Sequence, residues 1–238
     1  MTGFTDIHHH ILCGMDDGAR SPDEMRDMLR RAAQDGIARI VATPHVTPGL
    51  AYFDRERYDR TLKDAQAYCR AEGIPVALYA GAEILYTDQT CRFLAEGRVP
   101  TLAGTEYVLV EFSPDIRCDR LYGALAQLLR AGFLPVIAHA ERYRCLTRHP
   151  ARAVELRRAL DVCFQVNCSS ILRPGDFFAR RFIEKLLEWD MLDAIATDAH
   201  RADGPRTIHM REAWLKIEKK FGEIRANGLV DGHLLFEN

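Results

Sequence analysis

The sequence predicts an α/β fold in a single domain over residues 1–238, in which parallel strands curl into a (β/α) barrel of about seven units. The chain has 238 residues, 47% of them hydrophobic, which is enough for one substantial core. Several short apolar runs, such as 40–42 and 135–138, are continuous rather than alternating, as is typical of strands buried on both faces. The predicted strands are 4–8, 37–43, 76–82, 106–112, 134–139, 162–167 and 193–197.

Helical patterns lie between these strands. Ser21 and Glu24 form a capping box with Pro22 at the first helical position, and Gly36 ends this helix. Apolar residues recur at helical spacing over 55–72. Strand and helix alternate about seven times, which favours a barrel over an open sheet. Further helices are predicted near 120–131, 151–160, 176–189 and 207–221.

Composition excludes several classes of protein. The formal net charge is −2, with no block of like charge, so a nucleic-acid surface is not indicated. Seven scattered cysteines with no Cys-x-x-Cys pair predict reduced thiols rather than a zinc ribbon or a redox motif. The sequence begins without a signal-peptide pattern and has no apolar stretch of membrane-spanning length, so we expect a soluble, cytoplasmic protein without membrane insertion.

Histidines and acidic residues follow one predicted strand after another. In the first strand His8 and His10 share a face, since alternate side chains of a strand point the same way, and Asp6 precedes them. His9 should point to the opposite side and pack there. The carboxyl ends of parallel strands meet at one rim of a barrel, so these side chains should converge. The set is His8, His10, Asp17, His45, Glu83, Glu111, His139, Asp198 and His200.

This set predicts a metal centre. Glu83 and Glu111 follow strongly apolar runs, and a buried carboxylate without a partner is costly. Several carboxylates at one rim need cations, and divalent metals ligated by imidazole and carboxylate supply them. A closed structural site uses about four ligands, so the larger number favours a hydrolase over a metal-stabilised binding protein.

The motifs resemble those of the PHP (polymerase and histidinol phosphatase) superfamily of metal-dependent phosphoesterases. Within it the chain is most similar to the bacterial capsular and exopolysaccharide tyrosine-protein phosphatases, and the similarity spans essentially the whole chain. The family usually has a small residue where this chain has His9. The stretches that carry the resemblance are the His8-x-His10 start, 16–18, Thr43-Pro44-His45, Gly81-Ala82-Glu83, 100–102, 111–113, 135–143, 165–170 and 198–210.

The resemblance implies a distorted TIM-like (β/α)7 barrel with three divalent ions, manganese being expected and iron, zinc or magnesium the alternatives. It implies that Arg142 and Arg206 bind the phosphate, and Arg201 is the alternative to Arg206 for this role. By motif, the ligands would be His8, His10, Glu83 and Asp198 for one ion, Glu83, Glu111 and His139 for a second, and Asp17, His45 and His200 for a third.

The implied activity is hydrolysis of phosphotyrosine by a metal-activated hydroxide. The implied partner is a phosphotyrosine protein, the tail of a tyrosine kinase of bacterial polysaccharide export. The cysteine route to this reaction needs Arg six positions after Cys, and none of the seven cysteines has it. The alternatives are a small phosphoester such as histidinol phosphate and an amidohydrolase reaction, although the latter typically needs a strand-end lysine that is missing here.

Overall fold

The computed structural model describes residues 3–236. All seven predicted strands are present in order, and two short strands join them where the chain continues beyond β2 and β4. The strands are β1 (Phe4–His9), β2 (Ile37–Ala42), β3 (His45–Val46), β4 (Ala77–Ala80), β5 (Glu83–Leu85), β6 (Tyr107–Glu111), β7 (Leu134–Ile137), β8 (Cys163–Asn167) and β9 (Ala194–Ala196).

The strands form a curled, entirely parallel sheet. Backbone hydrogen bonds pair them in the order β1-β2-β4 in one part and β3-β5-β6-β7-β8-β9 in the other. Because β2 leads into β3 and β4 into β5, the two parts are continuous. The chain after β9 returns to β1, where His10 N donates to Ala199 O at 3.0 Å and Asp198 N donates to His8 O at 2.9 Å. The predicted distorted barrel is therefore confirmed.

All six helices that the sequence predicts are present, and the described residues contain four further short helices that it did not predict. In α1 the Ser21 side chain accepts from Glu24 N, Pro22 opens the helix and Gly36 ends it at φ 93°. The Glu24 carboxylate bonds Arg20 N rather than the Ser21 amide, so only half of the predicted capping box forms. The helices are α1 (Pro22–Asp35), α2 (Arg55–Ala71), α3 (Thr90–Ala95), α4 (Cys118–Arg130), α5 (Arg144–Thr147), α6 (Ala151–Ala159), α7 (Cys168–Leu172), α8 (Phe177–Glu188), α9 (Met210–Phe221) and α10 (Glu223–Gly228).

None of these helices combines the length and the apolar character that a membrane crossing would require, within residues 3–236. Their buried stripes instead face the sheet. The stripe of α2 consists of the predicted residues Tyr58, Leu62, Ala65 and Cys69.

Tyr58 marks the places where two strands are interrupted. Its buried hydroxyl accepts from Gly81 N at 2.9 Å and lies 3.1 Å from Gly81 O and 3.3 Å from Ala42 O. These backbone groups sit between β2 and β3 and between β4 and β5. A Cβ on Gly81 would lie 2.5 Å from Val41, so glycine allows the close approach. The predicted strands 37–43 and 76–82 therefore end early, and His45 and Glu83 begin short strands of their own.

Candidate metal centre

The structure brings all nine predicted side chains to the rim formed by the carboxyl ends of the strands. They differ in depth. His8, His10, His200 and Glu83 are at most 1% exposed, whereas Asp17 is 57% exposed and His45 38%. The centre is therefore closed at the bottom and open to solvent on the side of Asp17 and His45.

The deepest part of the centre contains His8, His10, Glu83 and Asp198. Their ligand atoms lie within 4.8 Å of one another. The Glu83 Oε2 atom is 3.1 Å from His8 Nε2 and 3.2 Å from His10 Nε2, and the two Nε2 atoms are 3.2 Å apart. This carboxylate oxygen is buried and has no hydrogen-bond partner among residues 3–236. Four electron-rich atoms thus converge on one small volume.

The hydrogen bonds of the Nδ1 atoms determine which ring nitrogen of His8 and His10 carries the lone pair. His8 Nδ1 is 3.1 Å from Gln165 Oε1, an oxygen that also accepts from His139 N. His10 Nδ1 is 2.7 Å from the Asp16 carboxylate. Both Nδ1 atoms must donate, so each neutral ring presents an Nε2 lone pair to the other and to Glu83. Such an arrangement requires protonation of the rings or a cation between them.

His200 follows the same rule. Its Nδ1 is 2.9 Å from Asp198 O, so Nε2 carries the lone pair; this atom accepts from Arg206 Nη2 and lies 3.2 Å from Asp17 Oδ1. Burial, followed by the charge of His10, lowers the pKa of His200 to about 4, so the ring is neutral at physiological pH. It stacks on His10 with ring centroids 3.8 Å apart.

Two further groups of ligand atoms border the first. One consists of His10, Asp17, His45 and His200, and the other of His45, Glu83 and Glu111. His139 Nε2 lies 2.7 Å from Glu83 Oε1 and 3.5 Å from Glu111 Oε1, so it joins the last group from the other side. Imidazole and carboxylate donors in overlapping groups of this kind suit divalent cations.

The pKa values reflect this crowding of opposite charges. Burial disfavours the charged forms of both Glu83 and His8. The imidazoles nevertheless hold the pKa of Glu83 well below its usual range, and Glu83 with Asp198 raises the pKa of His8 above 6.5. Without a cation the carboxylates are compensated by protonated rings. A divalent metal replaces those protons when it binds.

Two of the candidate ligands have left-handed backbone conformations. His139 has φ 34° and Asp198 has φ 50°. Residues other than glycine adopt such values at a cost of about 1–3 kcal/mol, and they cluster at functional sites. Here the strain turns each side chain from the end of its strand toward the shared centre.

Arg142 and Arg206 flank the centre, and Arg201 does not. Arg142 Nη2 donates to Asp198 Oδ2 at 2.8 Å, and Arg206 Nη1 donates to Asp17 Oδ2 at 2.8 Å. Both side chains are 44% exposed, so they can also reach a ligand. Arg201 instead donates to the backbone oxygens of Asp17, Gly18 and His200. It fixes the loop rather than facing the site.

Sequence reasoning left Asp6 outside the predicted set and assigned no role to three other residues near the centre. Asp6 is not in the centre: its carboxylate accepts from Thr197 N at 3.1 Å and from the Thr197 hydroxyl, and burial raises its pKa to about 6. Asp16 anchors the rim, because it accepts from His10, Gly18 N and His45 N.

Gln165 and Asn167, which the sequence presents only as part of a motif, support the ligands from behind. Gln165 Nε2 donates to Asn167 Oδ1 at 2.9 Å, and Asn167 Nδ2 donates to Asp198 Oδ2 at 2.8 Å. The signal in the sequence is the presence of two polar residues at alternate positions of an otherwise apolar strand.

The remaining histidines lie outside the centre. His9 is buried as predicted, and neither ring nitrogen has a hydrogen-bond partner in the described residues. His149 lies in a turn. His209 precedes α9 and pairs with Glu212 at 3.5 Å, and His233 pairs with Asp231 at 2.9 Å.

Known proteins show the same sequence pattern and fold. Residues 4–232 match the family model described as capsular polysaccharide synthesis, CpsB/CapC. The tyrosine-protein phosphatase CpsB of Streptococcus pneumoniae is 31% identical over 231 residues, covering 94% of this chain and 93% of the relative. The resemblance found in the sequence is confirmed.

Solved structures extend this similarity to the fold. The structure described for YwqE from Bacillus subtilis and CpsB from Streptococcus pneumoniae, metal-dependent tyrosine phosphatases, has a TM-score of 0.84 at 30% identity, covering 93% of this chain and 89% of that chain. Histidinol phosphate phosphatase of Lactococcus lactis, solved with zinc, L-histidinol and phosphate, has a TM-score of 0.61 at 15% identity, covering 95% and 94% of the two chains. The latter likeness concerns the fold alone.

Proposed function

This chain belongs to the CpsB/CapC family of capsular polysaccharide synthesis, and we propose from this and from its site that it is a metal-dependent protein-tyrosine phosphatase. The observation that carries the proposal is the convergence of His8 Nε2, His10 Nε2 and Glu83 Oε2 within 3.2 Å, with Asp198 beside them. Neutral imidazole rings offer only lone pairs at this point, so the residues fit a divalent cation.

The proposal includes three divalent ions, manganese being the expected metal. His8, His10, Glu83 and Asp198 would hold the first. The overlapping groups around Glu111 and Asp17 would hold the others, the second with Glu83, Glu111 and His139 and the third with Asp17, His45 and His200. When bound, such ions lower the pKa of water and neutralise phosphate oxygens.

The chain's own residues would bind and orient the phosphoester. Arg142 and Arg206 approach the centre from two sides, through Asp198 and Asp17, and each keeps guanidinium N–H groups exposed. Planar guanidinium groups bind phosphate oxygens through charge-assisted hydrogen bonds, which strengthen as charge develops in the transition state. The Asp17 carboxylate lies on the exposed side, where water enters, and the buried, neutral His200 ring lies 3.2 Å from it.

The proposed substrate is phosphotyrosine in a protein of capsule synthesis, specifically the tail of a tyrosine kinase of polysaccharide export. The open side of the centre supports a polypeptide substrate, because Asp17, His45 and Glu111 are all partly exposed. A small phosphoester such as histidinol phosphate would not require this opening.

Elemental analysis of the purified protein, combined with a phosphotyrosine-peptide assay, tests the proposal. We expect about three divalent ions per chain and release of phosphate from the peptide, with much slower turnover of histidinol phosphate. Arg142→Ala should reduce turnover at least about tenfold while the metal content stays unchanged. Full turnover by this variant, or a protein that binds no divalent ions, would refute the assignment.

A further inference from the structure

An open cavity of about 540 Å³ lies between the start of α4 and α5, in the segments that follow β6 and β7. Its charged lining is unbalanced: four arginines face two aspartates. The chain as a whole has a net charge of −2, so this local excess of positive charge is not a general property of the surface. The charged residues are Asp115, Arg117, Asp119, Arg144, Arg148 and Arg152.

The ion pairs leave two of these arginines without a carboxylate. Arg144 Nη1 is 2.8 Å from Asp115 Oδ1, and Arg117 Nε is 3.1 Å from Asp119 Oδ1. Arg148 has no acidic group within 4 Å among residues 3–236.

Arg152 is held without a carboxylate as well. Its Nη1 donates to Cys145 O at 3.2 Å and contacts Cys118 Sγ at 3.5 Å. The cavity therefore keeps one exposed guanidinium and one oriented guanidinium available for an anion.

Aromatic rings lie beside one of these cations, Arg148. The guanidinium carbon of Arg148 is 5.7 Å from the centroid of the Phe178 ring. Phe178 is 41% exposed and Phe177 69%, and the two rings lie 5.7 Å apart in an edge-to-face arrangement. Exposed phenylalanines beside an unpaired arginine form a surface that can contact both an anionic group and the apolar body of a side chain.

This surface lies at the same rim of the sheet as the metal centre, because its residues lie in the segments that follow β6, β7 and β8. Arg142, which contacts Asp198, is followed two residues later by Arg144, the first residue of α5. Arg144 and Arg148 are four residues apart around a helical turn, so they lie on the same side of it. A polypeptide that places one residue at the metal centre can extend from there toward Arg144 and Arg148.

We propose that this arginine surface, defined as Arg144, Arg148, Arg152, Phe177 and Phe178, binds a second anionic side chain of the polypeptide whose phosphotyrosine occupies the metal centre. The inference rests on the proposed phosphatase function. The second group is a phosphate or a carboxylate, since either would complement the unpaired guanidinium groups.

Three peptides test the proposal in a kinetic assay of the metal-loaded protein. The first has one phosphotyrosine between neutral residues, the second has an additional phosphotyrosine, and the third has glutamate at that additional position. The additional group is placed two, four and six residues from the first. We expect KM to fall about fivefold or more at one spacing, beyond the twofold statistical advantage of two phosphotyrosines, and the gain to shrink at high salt.

Arg148→Glu should abolish this gain while kcat for p-nitrophenyl phosphate stays unchanged, and Phe178→Ser should reduce it. Arg158→Glu makes the same charge change at an exposed residue near the C-terminal end of α6, away from the cavity, and should leave the gain intact. Equal KM values for all three peptides, or an unaltered gain in Arg148→Glu, would overturn the proposal.

Two further outcomes distinguish a phosphate site from a general anion site. A gain with the second phosphotyrosine but not with glutamate identifies a phosphate site, and equal gains identify a general anion site. Peptide affinity measured by calorimetry reports on the surface without turnover. Failure of the phosphatase function would appear separately, as absence of hydrolysis of p-nitrophenyl phosphate and of the singly phosphorylated peptide.

Discussion

The side-chain amide of Asn167 donates a hydrogen bond of 2.8 Å to Oδ2 of Asp198. The same amide accepts from Gln165, whose oxygen contacts His8 Nδ1 at 3.1 Å. Two buried amides thus orient a carboxylate on one side of the centre and an imidazole on the other. Residues of this kind fix the geometry and the tautomer of metal ligands.

Replacing Asn167 should therefore weaken metal binding. In Asn167→Ala, Gln165 Nε2 loses its acceptor and Asp198 loses one of two donors, so we expect a 10–100-fold loss of metal affinity by calorimetric titration. Asn227→Ala is the matched control, because Asn227 accepts from Trp214 Nε1 at 3.0 Å far from the centre. The control should change the melting temperature and leave metal affinity alone. Wild-type affinity in Asn167→Ala would contradict the orienting role.

Removal of metal should both inactivate and destabilise the protein. Without cations, protonated imidazoles balance the carboxylates of Glu83 and Asp198, and Arg142 pairs with Asp198 as well. A ligand at 100 times its Kd stabilises the folded state by about 2.7 kcal/mol, so dialysis against a chelator should lower Tm measurably. Manganese should restore Tm and activity together. Activity that persists in protein shown by elemental analysis to be metal-free would contradict the metal-dependent mechanism.

Thiol alkylation should leave activity intact. Burial raises the pKa of Cys163 to about 12, and burial together with the neighbouring Cys118 does the same for Cys145. At pH 8 only on the order of one in 10⁴ of these thiols is ionised, and the thiolate is the reactive form. Mass spectrometry after iodoacetamide treatment should find both unmodified. Inactivation that follows modification of any single cysteine would instead indicate catalysis by a cysteine nucleophile.

Arg206 and Arg201 should respond differently to substitution. Arg206→Ala removes a guanidinium beside Asp17 and should raise KM or lower kcat at least about tenfold with little change in Tm. Arg201→Ala removes hydrogen bonds to three backbone oxygens and should lower Tm. Thermal melts and steady-state kinetics of both variants distinguish the roles. The reverse pattern would assign phosphate binding to Arg201.

Gly18 should tolerate no side chain. A Cβ there would lie 2.2 Å from the His10 backbone oxygen and 2.8 Å from Asp16 Oδ1. Gly18→Ala must therefore displace the loop that carries Asp16 and Asp17, at a cost of about 1–3 kcal/mol. Gly175→Ala is the control, since no atom lies within 4 Å of its added Cβ. Denaturant unfolding and metal titration should show a loss of stability and of metal affinity for Gly18→Ala only. Equal stability and affinity in the two variants would exclude the steric explanation.

The amino-acid sequence by itself determined the architecture and the set of converging side chains. Continuous apolar runs specify buried parallel strands, and helical periodicity specifies the elements between them. Because parallel strands end at one rim, residues as distant as His8 and His200 could be placed together without knowledge of any contact.

The tertiary structure alone decided how each of these side chains is oriented. Asp6 belongs to the same strand as His8, yet Thr197, which follows the neighbouring strand β9, binds its carboxylate. Asp16 rather than Asp17 anchors His10, and Arg206 rather than Arg201 faces the site. The physical reason is that the direction of a polar side chain depends on partners from other elements, and those partners meet only after the barrel has closed.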